Sequence, residues 1–305
     1  MNCSGLQTCF IKISELLRYG DLQDLNKDCN VNTSLDKVKE IDIIANNIII
    51  GFANNTEDIV GYISEENTHV VFKDNIESRK NINSKNYILA FDPLDGSKNV
   101  VSNITSGTLY CLLEYDIEND KILSIEEAGY CIYGAKTVML TAKKFEVKLY
   151  ELNRNNEFNF VKKIYKIPQC KIYHCNESYS NIYDEDVKIL MKHFKNNDYS
   201  LRYVGSIVAD CHQIISEGGI FIYSNNKKYP EGKIRYYYEA LPLSFIFSQI
   251  QGVGLDLNFK EILSNLKKVN LTKEYIHKRI PIILCNKIDS EYMQNILRIN
   301  HDNYC

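Results

Sequence analysis

Tyr87-Ile88-Leu89-Ala90-Phe91-Asp92-Pro93-Leu94-Asp95-Gly96-Ser97 is a short apolar run that ends in an acidic turn. The first five residues read as a strand, and Asp-Pro followed by Asp-Gly reads as its stop. Asp92 and Asp95 stand three apart around a Pro-fixed bend, which can aim both carboxylates and the Leu94 carbonyl at one point. Hard cations take oxygen donors of this kind, and Mg²⁺ keeps part of its octahedron for water and phosphate. Gly96 permits close backbone approach to a ligand, and Ser97 with the amides after it can present N–H donors at a helix start. A bland reading stands beside this one: acids at strand ends are usually solvated, and Asp-Pro or Asp-Gly alone is a common turn.

Working outward, a second strand over 58–63 runs into Ser64-Glu65-Glu66. Neighbours on a strand point to opposite faces, so only one of the two glutamates is expected to face a given metal directly. Glu65 could bridge ions while Glu66, joined by Asp42, orients or deprotonates water. Upstream, Phe10, Ile13 and Leu17, then Val38, Ile41, Ala45, Ile48 and Phe52, predict two amphipathic helices. Segments 107–113, 137–141 and 145–152 read as further strands, giving an α+β first half with much antiparallel sheet. The second half alternates: a strand at 171–174, helices at 184–195 and 206–217, a strand at 220–223, a Pro/Gly turn at 227–233, and a closing β/α pair at 281–284 and 289–299.

Whole-chain properties exclude several classes. With 36 basic and 39 acidic residues the net charge is −3, so no nucleic-acid footprint is expected. No apolar run approaches the roughly 20 residues of a membrane span, and the start lacks a secretory pattern, so a cytoplasmic protein is expected. The 10 cysteines include no C-x-x-C pair and read as reduced thiols; Cys170 and Cys175, placed on one strand with opposite faces, read as structural. Gly252-Val253-Gly254 does not continue as a dinucleotide fingerprint, and neither a P-loop nor His-Glu-x-x-His occurs. His174 and His212 are left without a role.

Taken together, Ser64-Glu65-Glu66, Asp92-Pro93-Leu94-Asp95-Gly96-Ser97 and the stretch 201–239 resemble class I fructose-1,6-bisphosphatase, within the wider lithium-sensitive phosphatase superfamily. The resemblance runs from about Phe10 onward. It implies an α/β (α+β) fold layered α/β/α/β/α with two sheets, divided into an N-terminal α+β metal-binding subdomain over 1–165 and a C-terminal α/β/α sugar-phosphate subdomain over 166–305. It implies metal ligation by Asp36, Glu65, Asp92, Asp95, Glu239 and the Leu94 carbonyl, with Asp42 and Glu66 activating water and Asp36 counted among the catalytic acids as well. Asn176, Tyr179, Arg202, Tyr203, Tyr223 and Lys233 fall to the distal phosphate; Gly96, Ser97 and Arg235 to the phosphate removed; and Ser206 to the sugar. Arg202 comes from a neighbouring subunit in that family, which implies a homodimer or homotetramer. Mg²⁺ is the implied cofactor, with Mn²⁺ as its alternative, and a sugar bisphosphate the implied partner. Two cations and several tyrosine hydroxyls far from the metals make physical sense as an anchor for a second phosphate. Tyr236 and Tyr237 read as packing instead.

Departures from the family pattern set further expectations. Lys98 replaces the usual serine after the acidic turn, and reads either as a solvated helix-start side chain or as an added cation on the scissile phosphate. The family's AMP site uses a Lys-Tyr pair and an arginine where this chain has Asn86-Tyr87 and Glu114, so no AMP inhibition through that site is expected. Sedoheptulose-1,7-bisphosphatase is the nearest competing activity and dual specificity stays open, because the metal site would be identical. Inositol phosphatases carry a Trp-Asp pair, and this chain has no Trp. A non-catalytic phosphosugar sensor is the remaining alternative, against which every ligand acid is present in type.

Overall fold

The computed structural model describes residues 4–31, 37–74, 76, 85–268, 271 and 276–302. Its main sheet has eight strands, in the spatial order Phe158–Ile164, Glu146–Leu152, Thr137–Lys143, Lys121–Tyr133, Ser106–Asp116, Tyr87–Asp95, Ile59–Ser64 and Val71–Phe72. Neighbours are antiparallel with one exception: Ile59–Ser64 runs parallel to Tyr87–Asp95, with Ser64 opposite Phe91. That parallel pair decides where the chemistry sits, because it brings Glu65-Glu66 and Asp92 to the C-terminal ends of two adjacent strands.

Period-2 alternation divides this sheet's side chains between two helical layers. Leu89 and Phe91 face one cluster with Phe10 and Ile13 of helix Ser4–Tyr19 and Ile41, Ala45 and Ile49 of helix Glu40–Asn55. Ile88 and Ala90 face a second, with Val208, Cys211 and Ile214 of helix Ile207–Glu217 and Leu243 and Phe247 of helix Leu241–Ser248. Each such large apolar side chain withdrawn from water contributes about 1.5–3 kcal/mol before entropy is counted. A five-stranded sheet follows, ordered Ser200–Leu201, Ile172–Cys175, Ile220–Tyr223, Ile282–Asn286, Gly252–Leu255. Its outer face packs Tyr173, Ile220, Ile222 and Ile283 against helices Glu185–Asn196 and Lys287–Asp302. Among the described residues the layers therefore read α/β/α/β/α, with two principal sheets and two small two-stranded ones.

Three local expectations are corrected. Val38 belongs to a short strand, Lys37–Lys39, and the helix begins at Glu40. Cys170 precedes the strand Ile172–Cys175 and is exposed, while Cys175 is buried within it, so the two do not share a strand. The strand Ile59–Ser64 stops before Glu65, so Glu65 and Glu66 occupy a turn, where strand alternation no longer separates them. Among the described residues no helix is long and apolar enough to cross a membrane.

Candidate active site

The strand Tyr87–Asp95 is buried along its whole length, and its register against Ser106–Asp116 shifts between Asp92 and Asp95. Pro93 has no N–H for the ladder, and the irregularity re-aims the two carboxylates. Thr108 Oγ1 donates to the Pro93 carbonyl at 2.8 Å, and the Leu94 amide to Asp92 Oδ1 at 3.0 Å, which fixes the turn from both sides. Gly96 follows at φ +74, where a Cβ would meet Ser206 Cβ at 2.8 Å, so glycine is required twice over. Asp95 Oδ2 accepts from Ser206 Oγ at 2.5 Å and from the Val208 amide at 2.9 Å, tying the acidic turn to the first residues of helix Ile207–Glu217.

Glu239 arrives from the opposite side on a single π-helical turn, Tyr236–Ala240, a geometry that recurs at functional sites. Its carboxylate accepts the Arg235 amide proton, and Tyr236, Tyr237 and Tyr238 on the same turn are buried as packing. One carboxylate oxygen from each of Asp92, Asp95 and Glu239 lies within 4.8 Å of the others. Donors this close and this hard are a set that a divalent cation fits.

Electrostatics point the same way. Burial, reinforced by Glu65, Asp95 and Glu239, holds the Asp92 carboxyl well above its ordinary value. Burial also pushes Asp95 up to about 7 against the bonds from Ser206 and Val208, and Glu239 up to about 8 with help from Glu65 and Asp95. Asp42 rises to about 6 by burial, offset by hydrogen bonds from the Lys39 amide and Ser97. Clustered acids resist ionising together, and a bound cation supplies the missing counter-charge.

These groups line one cavity of about 290 Å³. Of the residues expected from sequence, Asp42, Glu65, Glu66, Asp92, Leu94, Asp95, Gly96, Ser97, Asn176, Tyr203, Tyr223, Lys233, Arg235 and Glu239 line it. Glu65 and Glu66 both do, from the turn that follows the strand Ile59–Ser64. Arg235 is 3% exposed, and its Nη2 stands 4.0 Å from Glu65 Oε1. Tyr203, Tyr223 and Asn176 line the cavity together with Lys233. Tyr179, edge-on to Tyr183 and Tyr229, is not among the lining residues. Ser206 is fully buried, and its hydroxyl, committed to Asp95, caps its helix by accepting from the Ala209 amide; it braces the acid and does not line the cavity. Arg202 is exposed, and its Nη1 donates to the Leu201 carbonyl. Asp36 lies outside the described residues.

Asp210 is a lining residue that sequence reasoning missed. It is fully buried and accepts from the Val204 and Gly205 amides and from His174 Nδ1 at 2.8 Å, holding the turn that leads into Ser206. The signal was present: Ser206 and Asp210 lie four apart on one helical face among Ile207, Val208 and Cys211, where a lone acid has to be satisfied by something.

Comparison with known proteins decides the family. The model described as "Fructose-1-6-bisphosphatase, N-terminal domain" matches residues 3–163, and that described as "Fructose-1-6-bisphosphatase, C-terminal domain" matches 167–298. The chain belongs to the fructose-1,6-bisphosphatase family. As a fructose-1,6-bisphosphatase family member it is a phosphoric monoester hydrolase. It is 31% identical to fructose-1,6-bisphosphatase isozyme 2 of Bos taurus over 307 residues, covering 95% of this chain and 87% of that protein. It is also 31% identical to the class 1 fructose-1,6-bisphosphatase of Sulfurihydrogenibium sp., over 88% of this chain and 81% of that one. The holo structure of Leishmania major fructose-1,6-bisphosphatase superposes with a TM-score of 0.84 at 25% identity, covering 96% of this chain and 92% of that chain.

Proposed function

We propose that this chain hydrolyses the 1-phosphate of fructose 1,6-bisphosphate to fructose 6-phosphate and phosphate, with Mg²⁺ as cofactor. The observation that carries the reading is the continuity of one cavity, from the carboxylates Asp92, Asp95 and Glu239 at one end to Asn176, Tyr223 and Lys233 at the other. A monophosphate would leave the second set of donors without work; a bisphosphate uses both.

Glu65, Asp92, Asp95, Glu239 and the Leu94 carbonyl would hold the cation, which when bound supplies Lewis-acid polarisation of the phosphoryl oxygens. The remaining work falls to the chain. Ser97 and Arg235 grip the phosphate that leaves, and Arg235, buried against Glu65, is held where its charge acts in low dielectric. Asp42 and Glu66 sit on the same wall and take the proton of the attacking water; Asp42, raised to about 6, is close to the operating range of a general base. Asn176, Tyr203, Tyr223 and Lys233 fix the distal phosphate, so that the reacting one is presented in line. Arg202, exposed on its own protomer, would complete the distal end of a neighbour's site in a homodimer or homotetramer.

The deciding assay compares metal-dependent phosphate release from fructose 1,6-bisphosphate and sedoheptulose 1,7-bisphosphate. Release from fructose 1,6-bisphosphate is expected to dominate. Equal release would make the enzyme dual in specificity, and metal-dependent binding without release from either sugar would leave a sensor.

Lys98, exposed yet on the cavity wall beside Ser97, is expected to add a charge-assisted contact to the leaving phosphate. Replacing it by serine should lower kcat/KM by about tenfold, the size of one charged hydrogen bond. Unchanged turnover and KM in Lys98→Ser would return this side chain to solvent.

A further inference from the structure

Tyr229 lies in the turn that joins Tyr223 to Lys233, both of which line the cavity. Its backbone is held independently of its side chain: the Asn226 carboxamide oxygen accepts from the Lys228 and Tyr229 amides at 2.9 Å each, and the Gly232 amide donates to the Tyr229 carbonyl at 3.0 Å. Gly232, at φ +78, presses so close to the Ile280 and Pro281 backbone that a Cβ would stand 2.7 Å from it, which pins the turn to the strand Arg279–Ile280. The turn therefore does not need an aromatic residue at 229.

What the aromatic residue does is touch two of the groups assigned above to the distal phosphate. The Lys233 ammonium stands 5.1 Å from the Tyr229 ring centroid, and that of Lys228 stands 5.3 Å from it. Tyr179 meets the same ring edge-on, with centroids 5.8 Å apart and planes at 72°. Lysine carries its charge on a four-carbon stem whose rotamer freedom is lost when it grips an anion. A ring face within about 6 Å restricts that freedom beforehand.

We infer that Tyr229 is a positioning residue for the distal phosphate, its ring, braced edge-on by Tyr179, holding the Lys233 ammonium so that it meets the ligand already oriented. This rests on the cavity being a sugar-bisphosphate site. Lys228, on the same ring, adds to the positive field around the anion.

The test measures wild type, Tyr229→Phe and Tyr229→Ala with fructose 1,6-bisphosphate, with fructose 1-phosphate, which lacks the distal group, and with fructose 6-phosphate as product inhibitor. Tyr229→Ala should raise the KM for the bisphosphate and the Ki of fructose 6-phosphate about fivefold while kcat stays within about twofold. Its kcat/KM for fructose 1-phosphate should match wild type, and Tyr229→Phe, which keeps the ring under both lysines, should recover most of the loss. Unchanged KM and Ki in Tyr229→Ala would overturn the inference, as would an equal loss on fructose 1-phosphate, which marks a structural role only. A wild-type enzyme that releases no metal-dependent phosphate from the bisphosphate would overturn the functional reading itself, a result distinct from unaltered constants in an active enzyme.

Discussion

Asp95→Asn should cut phosphate release from fructose 1,6-bisphosphate by about a thousandfold, the several kcal/mol of charge stabilisation that a displaced metal ion forfeits at 1.36 kcal/mol per factor of ten. The substitution is chosen because the fold should survive it. Asp95 Oδ2 accepts both the Ser206 hydroxyl and the Val208 amide. An asparagine carbonyl oxygen can keep both bonds and turn its amide nitrogen toward Asp92 and Glu239, where a donor replaces a ligand. A binding readout separates loss of metal from loss of chemistry. Mg²⁺ at about 100 times its Kd should stabilise the wild type by about 2.7 kcal/mol, seen as a Tm rise of several degrees, and should leave the variant nearly unmoved. A variant that keeps both its thermal response and its turnover would remove Asp95 from the metal site.

Glu66→Gln is the second large effect, and its signature differs. Glu66 lines the cavity at the end of the strand Ile59–Ser64, with its amide bonded to Ser64 Oγ at 3.2 Å. If it takes the proton of the attacking water, the amide should lower kcat by about 10²- to 10⁴-fold, the usual contribution of a general base, with little change in KM. The Mg²⁺-dependent rise in Tm should persist, because Asp92, Asp95 and Glu239 are untouched. Loss of the thermal response together with kcat would instead make Glu66 a ligand. Asp42→Asn in parallel apportions the proton transfer between the two acids.

The parts of this site legible in the sequence were the ones made by neighbours in the chain. Asp92 and Asp95 follow an apolar strand within one short stretch, and strand, stop and carboxylates could be read together. Glu65 and Glu66 were found for the same reason, although they stand in the turn after the strand, which ends at Ser64, and so are not separated by strand alternation. Nothing local to Glu239 marks it as a ligand. A π-helical turn among buried tyrosines brings it to a strand well over a hundred residues earlier, and only the family resemblance named it. Ser206 was expected to touch sugar, yet its hydroxyl works on Asp95, a contact between two layers that no pattern within one segment encodes. The same limit applies to the fold. Leu241–Ser248 is buried almost all round, so it offers no amphipathic stripe to read. Phe158–Ile164 is a mostly exposed edge strand bearing Lys162 and Lys163, charges that protect an edge and also mask the strand signal.

The central claim joins a cation held by the acidic turn to removal of one particular phosphate from a bisphosphate anchored at its other end. Phosphorus NMR of fructose 1,6-bisphosphate incubated with the enzyme, with Mg²⁺ and then with excess chelator, tests both halves at once. The account predicts that the 1-phosphate resonance is replaced by inorganic phosphate while the 6-phosphate persists, and that chelation stops the reaction. Loss of the 6-phosphate first, or release that continues without a divalent cation, would contradict it.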